Sequence, residues 1–225
     1  MGYQIIDLTQ EIFEGMSVFP MHQKTFIFKN MTHEESIKRY GFPFSTNNLL
    51  INEHGPTHTD ALYEFDPNGA TIEKTNLALC FGSALCLDVS SVSPDEYITE
   101  QVLSKALQRS SLKINRGDIV LLYTGHYNRS YGKAEWQTRY AGLDISGAEF
   151  LGRQGVVNIG IDAPAIDNPK DQKYSGHLIC RKYRMLNTEN LCNLDKVAQK
   201  RFLYIGLPLK IRGGTGSPVR AVAIC

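Results

Sequence analysis

The sequence predicts a mixed α/β domain, and three observations carry that reading. Apolar, β-branched runs of strand length recur from one end of the chain to the other. Helical patterns are fewer. The two do not alternate regularly, which argues against a doubly wound sheet or a barrel. With 225 residues, 42% of them hydrophobic and 21% charged, the chain has the apolar material for one core. No linker-like stretch divides it, so residues 1–225 are expected to form one domain.

In chain order, the runs expected as strands are YQIIDL (3–8), TFIFKNM (25–31), GSALCLDV (82–89), GDIVLLY (117–123), GVVNIGID (155–162), RFLYIGLPLKI (201–211) and VRAVAI (219–224). A first helix is expected from Ser93-Pro94-Asp95-Glu96, a capping-box pattern with proline at the first helical position, or from Thr99. It would carry Val102, Leu103, Ala106 and Leu107 on one face. A second opens at Ser146, with Glu149 three residues on and Gly155 as its C-terminal cap. A third is expected after Glu189, where Leu191, Leu194 and Val197 recur at helical spacing.

Composition narrows the function classes. The charge is +1, from 24 basic and 23 acidic residues, and there is no long run of Lys or Arg to neutralise a phosphate backbone, so nucleic acid is not an expected partner. The longest apolar stretches, IVLLY and ALCL, fall short of the ~20 residues of a membrane span, and the N-terminus has no signal-peptide pattern. The expectation is a cytoplasmic protein. Five cysteines, an odd number without a C-x-x-C pair, fit free thiols used for packing.

The chemistry concentrates in EHGPTHTDALYEF (53–65). Gly55, Pro56 and the β-branched Thr57 and Thr59 argue for a turn leading into an extended segment rather than a helix. In an extended segment His58 and Asp60 point to one side, and the Gly-Pro turn can bring His54 back toward them. Two imidazoles and a carboxylate are a first shell for Zn²⁺ or Mn²⁺ with a position left for water. The alternative from these residues alone is a polar loop that hydrogen-bonds its own backbone.

The chain resembles the cyclase-type metal-dependent hydrolases, which include bacterial kynurenine formamidase and isatin hydrolase, with the pattern H-x-G-T-H-x-D-x-P-x-H. The same register here reads His54-Gly55-Pro56-Thr57-His58-Thr59-Asp60-Ala61-Leu62-Tyr63-Glu64. IIDLTQEIFEGMSVFP (5–20), GDIVLLYTGH (117–126), GIDAPAID (160–167), GHLICRKYRMLNTENLCNL (176–194) and LPLKIRGGTGSPVRAVAI (207–224) resemble further family segments, in order along the chain. The resemblance implies a swivelling β/β/α fold with a mixed sheet, a small-molecule substrate, and a homodimer or homotetramer. It also implies that His177 and Glu189 join His54, His58 and Asp60 as ligands of one or two Zn²⁺ or Mn²⁺ ions, with Asp60 suited to bridging.

The implied activity is hydrolysis of a small amide, formamide, lactam or ester, with hydroxide generated at the metal as nucleophile. The family's general acid/base histidine is replaced by Glu64, which is expected to take that role, to serve as a further ligand, or to be a solvated loop residue. Its unperturbed pKa is about two units below that of histidine, which makes proton delivery to an amine harder. Pro56, Leu62 and Thr215 also depart from the family pattern. Rival readings are a metal-dependent cyclase or dehydratase, and a metal-stabilised binding protein without turnover. Tyr63 and Ser217 are the candidate substrate contacts, against plain aromatic packing for Tyr63 and a plain tight turn around Ser217. His126, Tyr127 and Trp136 are expected to line a pocket or to pack as aromatics.

Overall fold

The computed structural model describes residues 2–225. The chain begins with β1 (Ile5–Asp7), then β2 (Phe26–Met31) and β3 (Thr46–Leu50), with α1 (His33–Tyr40) between the last two. The middle runs β4 (His58–Asp60), β5 (Phe81–Asp88), β6 (Tyr97–Ile98), α2 (Glu100–Ser110), β7 (Ile119–Tyr123), α3 (His126–Ser130), β8 (Gly142–Leu143) and α4 (Ile145–Gln154). It closes with β9 (Asn158–Ile161), α5 (Ser175–Tyr183), β10 (Leu186–Glu189), β11 (Arg201–Ile205), β12 (Gly216–Pro218) and β13 (Val222–Ile224).

Nine strands form one mixed sheet in the order β1-β13-β11-β5-β7-β9-β10-β4-β12. Its centre, β5, β7, β9 and β10, is parallel, while both flanks are antiparallel. Parallel strands are buried on both faces, and here the period of two sorts their side chains. Leu85, Leu87, Val120, Leu122, Ile159 and Ile161 meet Leu103 and Ala106 of α2, Ala148 and Leu151 of α4 and Cys180 of α5. On the other face Ala84, Cys86, Ile119 and Leu121 pack with Phe202, Tyr204, Leu191, Leu194 and Val197. Each fully buried Leu or Ile among these stabilises the fold by roughly 1.5–3 kcal/mol relative to exposure.

Every run expected as a strand contains one. The helix near Ser93 starts at the later of its two origins, with the Thr99 hydroxyl accepting from Val102 N at 3.3 Å. The second begins two residues earlier than expected, because Asp144 rather than Ser146 takes the capping position and accepts from Gly147 N at 2.8 Å. It ends at Gly155, whose φ of +78° a side chain would resist.

The third expected helix does not form. Asn190 and Asn193 both have φ of +56°, which breaks a helix, and only a single 3₁₀ turn (Leu194–Lys196) remains. Leu191, Leu194 and Val197 still enter the core, so the spacing was a packing signal carried by an irregular segment. No helix among the described residues is long and apolar enough to cross a membrane.

Candidate metal centre

β4 is three residues long and fully buried, flanked by β10 on one side and β12 on the other. Its alternation puts Thr59 on one face, hydrogen-bonded to Thr188 Oγ1 at 2.8 Å, and His58 and Asp60 on the other. β10 pairs antiparallel with β4 and sets Glu189 opposite His58. The turn before β4, which contains a cis Gly55–Pro56 bond, returns His54 so that its Nδ1 lies 2.7 Å from Asp60 Oδ1. Gly216 of β12 permits this approach, since a Cβ there would lie 2.8 Å from His54 Cε1. His177, in the first turn of α5, reaches the same point from the far side, with Nε2 3.5 Å from Asp60 Oδ2 and 3.4 Å from Glu189 Oε1.

Hydrogen bonds on the outer side of each ring decide which nitrogen faces inward. His58 Nδ1–H donates to Pro56 O at 2.9 Å, which leaves Nε2 as a lone pair 3.3 Å from Asp60 Oδ1 and 3.6 Å from Glu189 Oε2. His177 Nδ1–H donates to Asp167 Oδ2, so its Nε2 also presents a lone pair to Asp60 and Glu189. Thr215 Oγ1 donates to Glu53 Oε2 at 2.9 Å and accepts from His54 Nε2–H at 2.8 Å, turning the Nδ1 lone pair toward Asp60. Three imidazole lone pairs and two carboxylates thus converge. Their buried groups form two triads sharing Asp60, His54-His58-Asp60 and Asp60-His177-Glu189.

Such a set repels itself unless positive charge sits within it, from protons or from metal ions. The protein's own electrostatics express this as proton affinity. Burial would raise the Asp60 carboxyl, but His54 and His58, with hydrogen bonds from His177 and His54, hold it well below the usual range. Burial lowers His54, His58 and His177, and the surrounding carboxylates outweigh it, raising all three above the ordinary histidine value. A divalent cation satisfies the same demand, so the residues present fit a metal. The outer partners Pro56 O, Asp167 and Thr215 are of the kind that orient metal-binding imidazoles.

Glu64 follows β4 in a 3₁₀ turn, with Oε1 3.7 Å from His54 Nδ1 and its side chain about a quarter exposed. Burial first, then the charge of Asp60, pushes its carboxyl up to about 9, against an opposing pull from His177. A cation among the ligands acts in the same direction as His177 and competes with that rise.

The cluster lies at the foot of a cleft of about 200 Å³. Phe65, Pro164, Ala165 and Tyr174 give it apolar walls, and Ser17, Val18, Phe19, Met21 and His22 of the N-terminal segment also line it. His22, in that segment, is tilted against Phe19 and lies 5.7 Å from His54 between ring centroids. Burial, then the neighbouring His54 and His58, lowers its pKa.

Not every residue singled out in the sequence arrives here. Tyr63 is 38% exposed and outside the cleft lining. Ser217 is fully buried in β12, where its hydroxyl accepts from Leu209 N at 2.7 Å and donates to Pro218 O at 2.8 Å. His126 and Trp136 stack on each other at 4.6 Å away from the cluster, as packing aromatics. Sequence reasoning missed Asp167, Asn187 and Glu53. Asn187 Nδ2 donates to Asp60 Oδ2 and to Glu189 Oε1 (3.2 Å), a role that alternation from Glu189 on β10 suggests.

Residues 6–168 match the family model "Cyclase: Putative cyclase". The kynurenine formamidase of Bacillus thuringiensis subsp. konkukian is 29% identical over 219 residues, covering 96% of this chain and 95% of the relative. An isatin hydrolase crystallised with the product analogue thioisatinate superposes with a TM-score of 0.87 at 22% identity, over 99% of this chain and 92% of the other. A "predicted metal-dependent hydrolase" from Bacillus stearothermophilus superposes with a TM-score of 0.78 at 21% identity, over 100% and 99% of the two chains. The mixed α/β fold is that of these proteins.

Proposed function

The chain belongs to the cyclase family, and from that premise we propose that it is a metal-dependent hydrolase of a small amide, formamide or lactam. The observation that carries this is the convergence of three imidazole lone pairs and two carboxylates around Asp60 at the foot of an apolar cleft. Zn²⁺ or Mn²⁺ would be held by His54, His58 and Asp60, with Asp60, His177 and Glu189 able to hold a second ion. Bound there, the metal supplies Lewis acidity toward a carbonyl oxygen and lowers the pKa of water toward ~7.

The remaining work belongs to side chains. Asp167 keeps the proton of His177 on Nδ1, and Pro56 O keeps that of His58 on Nδ1, so neither ring can turn its lone pair away. Ile166 N–H donates to Glu189 Oε1 at 2.9 Å and fixes that carboxylate. Glu64, among the lining residues of the cleft with Oε1 3.7 Å from His54 Nδ1, would in its carboxylate form accept a proton from the attacking water and return it to the departing nitrogen. Phe65, Pro164 and Tyr174 exclude bulk water around the scissile bond, which strengthens each of these electrostatic contacts.

The test is elemental analysis of protein purified without chelator, beside a His58→Ala, Asp60→Ala double variant. One or two equivalents of Zn or Mn, lost in the variant, together with turnover of a formamide or lactam is the expected result. Protein that takes up neither ion rules the reading out. Glu64→Gln should keep its metal and lose roughly 10²–10⁴ in turnover. Full activity would remove Glu64 from the mechanism.

A further inference from the structure

The outer partners of the three inward-facing imidazoles differ in kind. His58 Nδ1–H meets a backbone carbonyl, Pro56 O, and His177 Nδ1–H meets a carboxylate, Asp167. Both are acceptors only, so each fixes the tautomer of its ring. His54 Nε2 meets a hydroxyl instead, Thr215 Oγ1 at 2.8 Å. A hydroxyl donates as readily as it accepts, so alone it leaves the tautomer of His54 open. If it donated to Nε2, the ring proton would sit on Nδ1, 2.7 Å from Asp60 Oδ1, and that nitrogen would be closed to an ion.

Glu53 removes this freedom. Its Oε2 accepts from Thr215 N and from Thr215 Oγ1, both at 2.9 Å. An ionised carboxylate only accepts, so the one hydroxyl proton of Thr215 points to Glu53 and a lone pair is left for His54. Gly214 makes room for the carboxylate, since a Cβ there would lie 3.0 Å from Glu53 Oε1. The loop backbone has other holds: Ala61 N–H donates to Thr215 O at 2.8 Å, and Ile72 N–H donates to Gly214 O at 2.9 Å. The bond that only Glu53 supplies is therefore the one that aims the hydroxyl.

We propose that Glu53 is a positioning residue for His54. Through Thr215 it keeps the imidazole proton on Nε2 and the Nδ1 lone pair facing Asp60, and its charge behind the ring strengthens His54 as a donor to a divalent ion. The inference rests on the reading of His54 as a metal ligand. Asp167 does the same for His177 by direct contact, whereas Glu53 acts through one intervening oxygen, so its effect exists only while Thr215 carries a hydroxyl. Glu53 is absent from the cleft lining and touches neither ion nor substrate in this assignment.

The experiment measures Zn²⁺ affinity by chelator competition in wild type, Glu53→Met, Thr215→Val, the double variant and Thr215→Ser. Glu53→Met and Thr215→Val should each weaken Zn²⁺ binding about tenfold or more, while Thr215→Ser, which keeps the hydroxyl, should stay within about threefold of wild type. The double variant should bind no more weakly than Thr215→Val alone, because Glu53 has nothing left to aim. If Glu53 served only to hold the Thr215 backbone N–H, which valine retains, the two losses would multiply. Multiplied losses therefore overturn the inference, as does unchanged affinity in Glu53→Met. Wild type that shows the expected pattern but turns over no formamide or lactam leaves this inference standing while the hydrolase reading falls. Wild type that binds no Zn²⁺ overturns both.

Discussion

His177 and His126 are the same residue in two regions, and both are buried, at 5% and 0% exposure. Each lies against an aromatic ring, His177 at 4.5 Å from Phe65 and His126 at 4.6 Å from Trp136. Their proton affinities nevertheless diverge. Burial is the main cause at His126, joined by the charge of Arg129 and opposed by the hydrogen bond to Trp136, and its pKa falls to about 4, while contacts with Asp167, Asp60 and Glu189 overcome burial at His177 and raise it well above the ordinary value. Burial and stacking do not separate a packing histidine from one placed where it could hold a metal. Carboxylates arranged around the inward nitrogen do, because they create the demand for positive charge that a metal meets.

The comparison breaks most completely at Asp60. Asp60→Ala should remove every bound ion and all measurable turnover, because both triads use this carboxylate. Plasma emission analysis together with an amidase assay checks it, and retention of one full equivalent would show that the triads bind independently. Asp167→Asn probes the outer partner: it leaves His177 in place but weakens the hold on Nδ1–H, and metal affinity should fall about 10–100-fold by chelator competition. At the other histidine, His126→Phe should leave metal content untouched and lower stability by about 1–2 kcal/mol in urea denaturation, because Trp136 O loses its donor at 2.9 Å.

The comparison also extends to pH dependence, measured on metal-stripped protein. Folding lowers His126 from 6.5 to about 4, so the unfolded chain binds more protons between those values. The contribution of neutral His126 is present above pH 6.5 and is lost as pH falls toward 4. Glu64 runs opposite: folding raises it from 4.5 to about 9, so its contribution is present below pH 4.5 and is lost as pH rises through 9. His126→Phe should flatten the acid side of the stability profile and Glu64→Gln the alkaline side. Unchanged slopes would show that these groups titrate as in the unfolded chain.

Much of the fold was legible because strands buried on both faces leave continuous apolar runs in the sequence, as β5, β7 and β9 do. The third expected helix failed because hydrophobic spacing does not report φ, and the two asparagines at +56° were not read as breaks. α5 was missed for a related reason. Its N-terminal cap, Tyr174, sits at φ +53° with no capping side chain, and Asp171 supplies the acceptor for Ser175 N from further back. β10, four residues long, was not read as a strand, while β4 was read only as an extended segment although it carries the densest chemistry in the chain.

The site was legible in part from local residues. His54, His58 and Asp60 lie within one turn and strand, so their meeting follows from local geometry. His177 and Glu189 come from α5 and β10, and their link to Asp60 exists only through sheet order, so only resemblance pointed to them. Thr215 marked a departure from the family pattern, and its position gives that departure a physical content: it connects Glu53 to His54.

The register of β4 against β10, with Thr188 opposite Thr59 and Glu189 opposite His58, has a consequence for how the chain reaches its native state. A slip of one residue would turn Thr59 into the cleft and send His58 and Asp60 to the opposite face, dismantling both triads at once. A divalent ion present during folding would bind the correctly registered chain and not the slipped one, and mass action would then draw the population to that alignment. The metal would act as a proofreader of strand alignment before any substrate arrives.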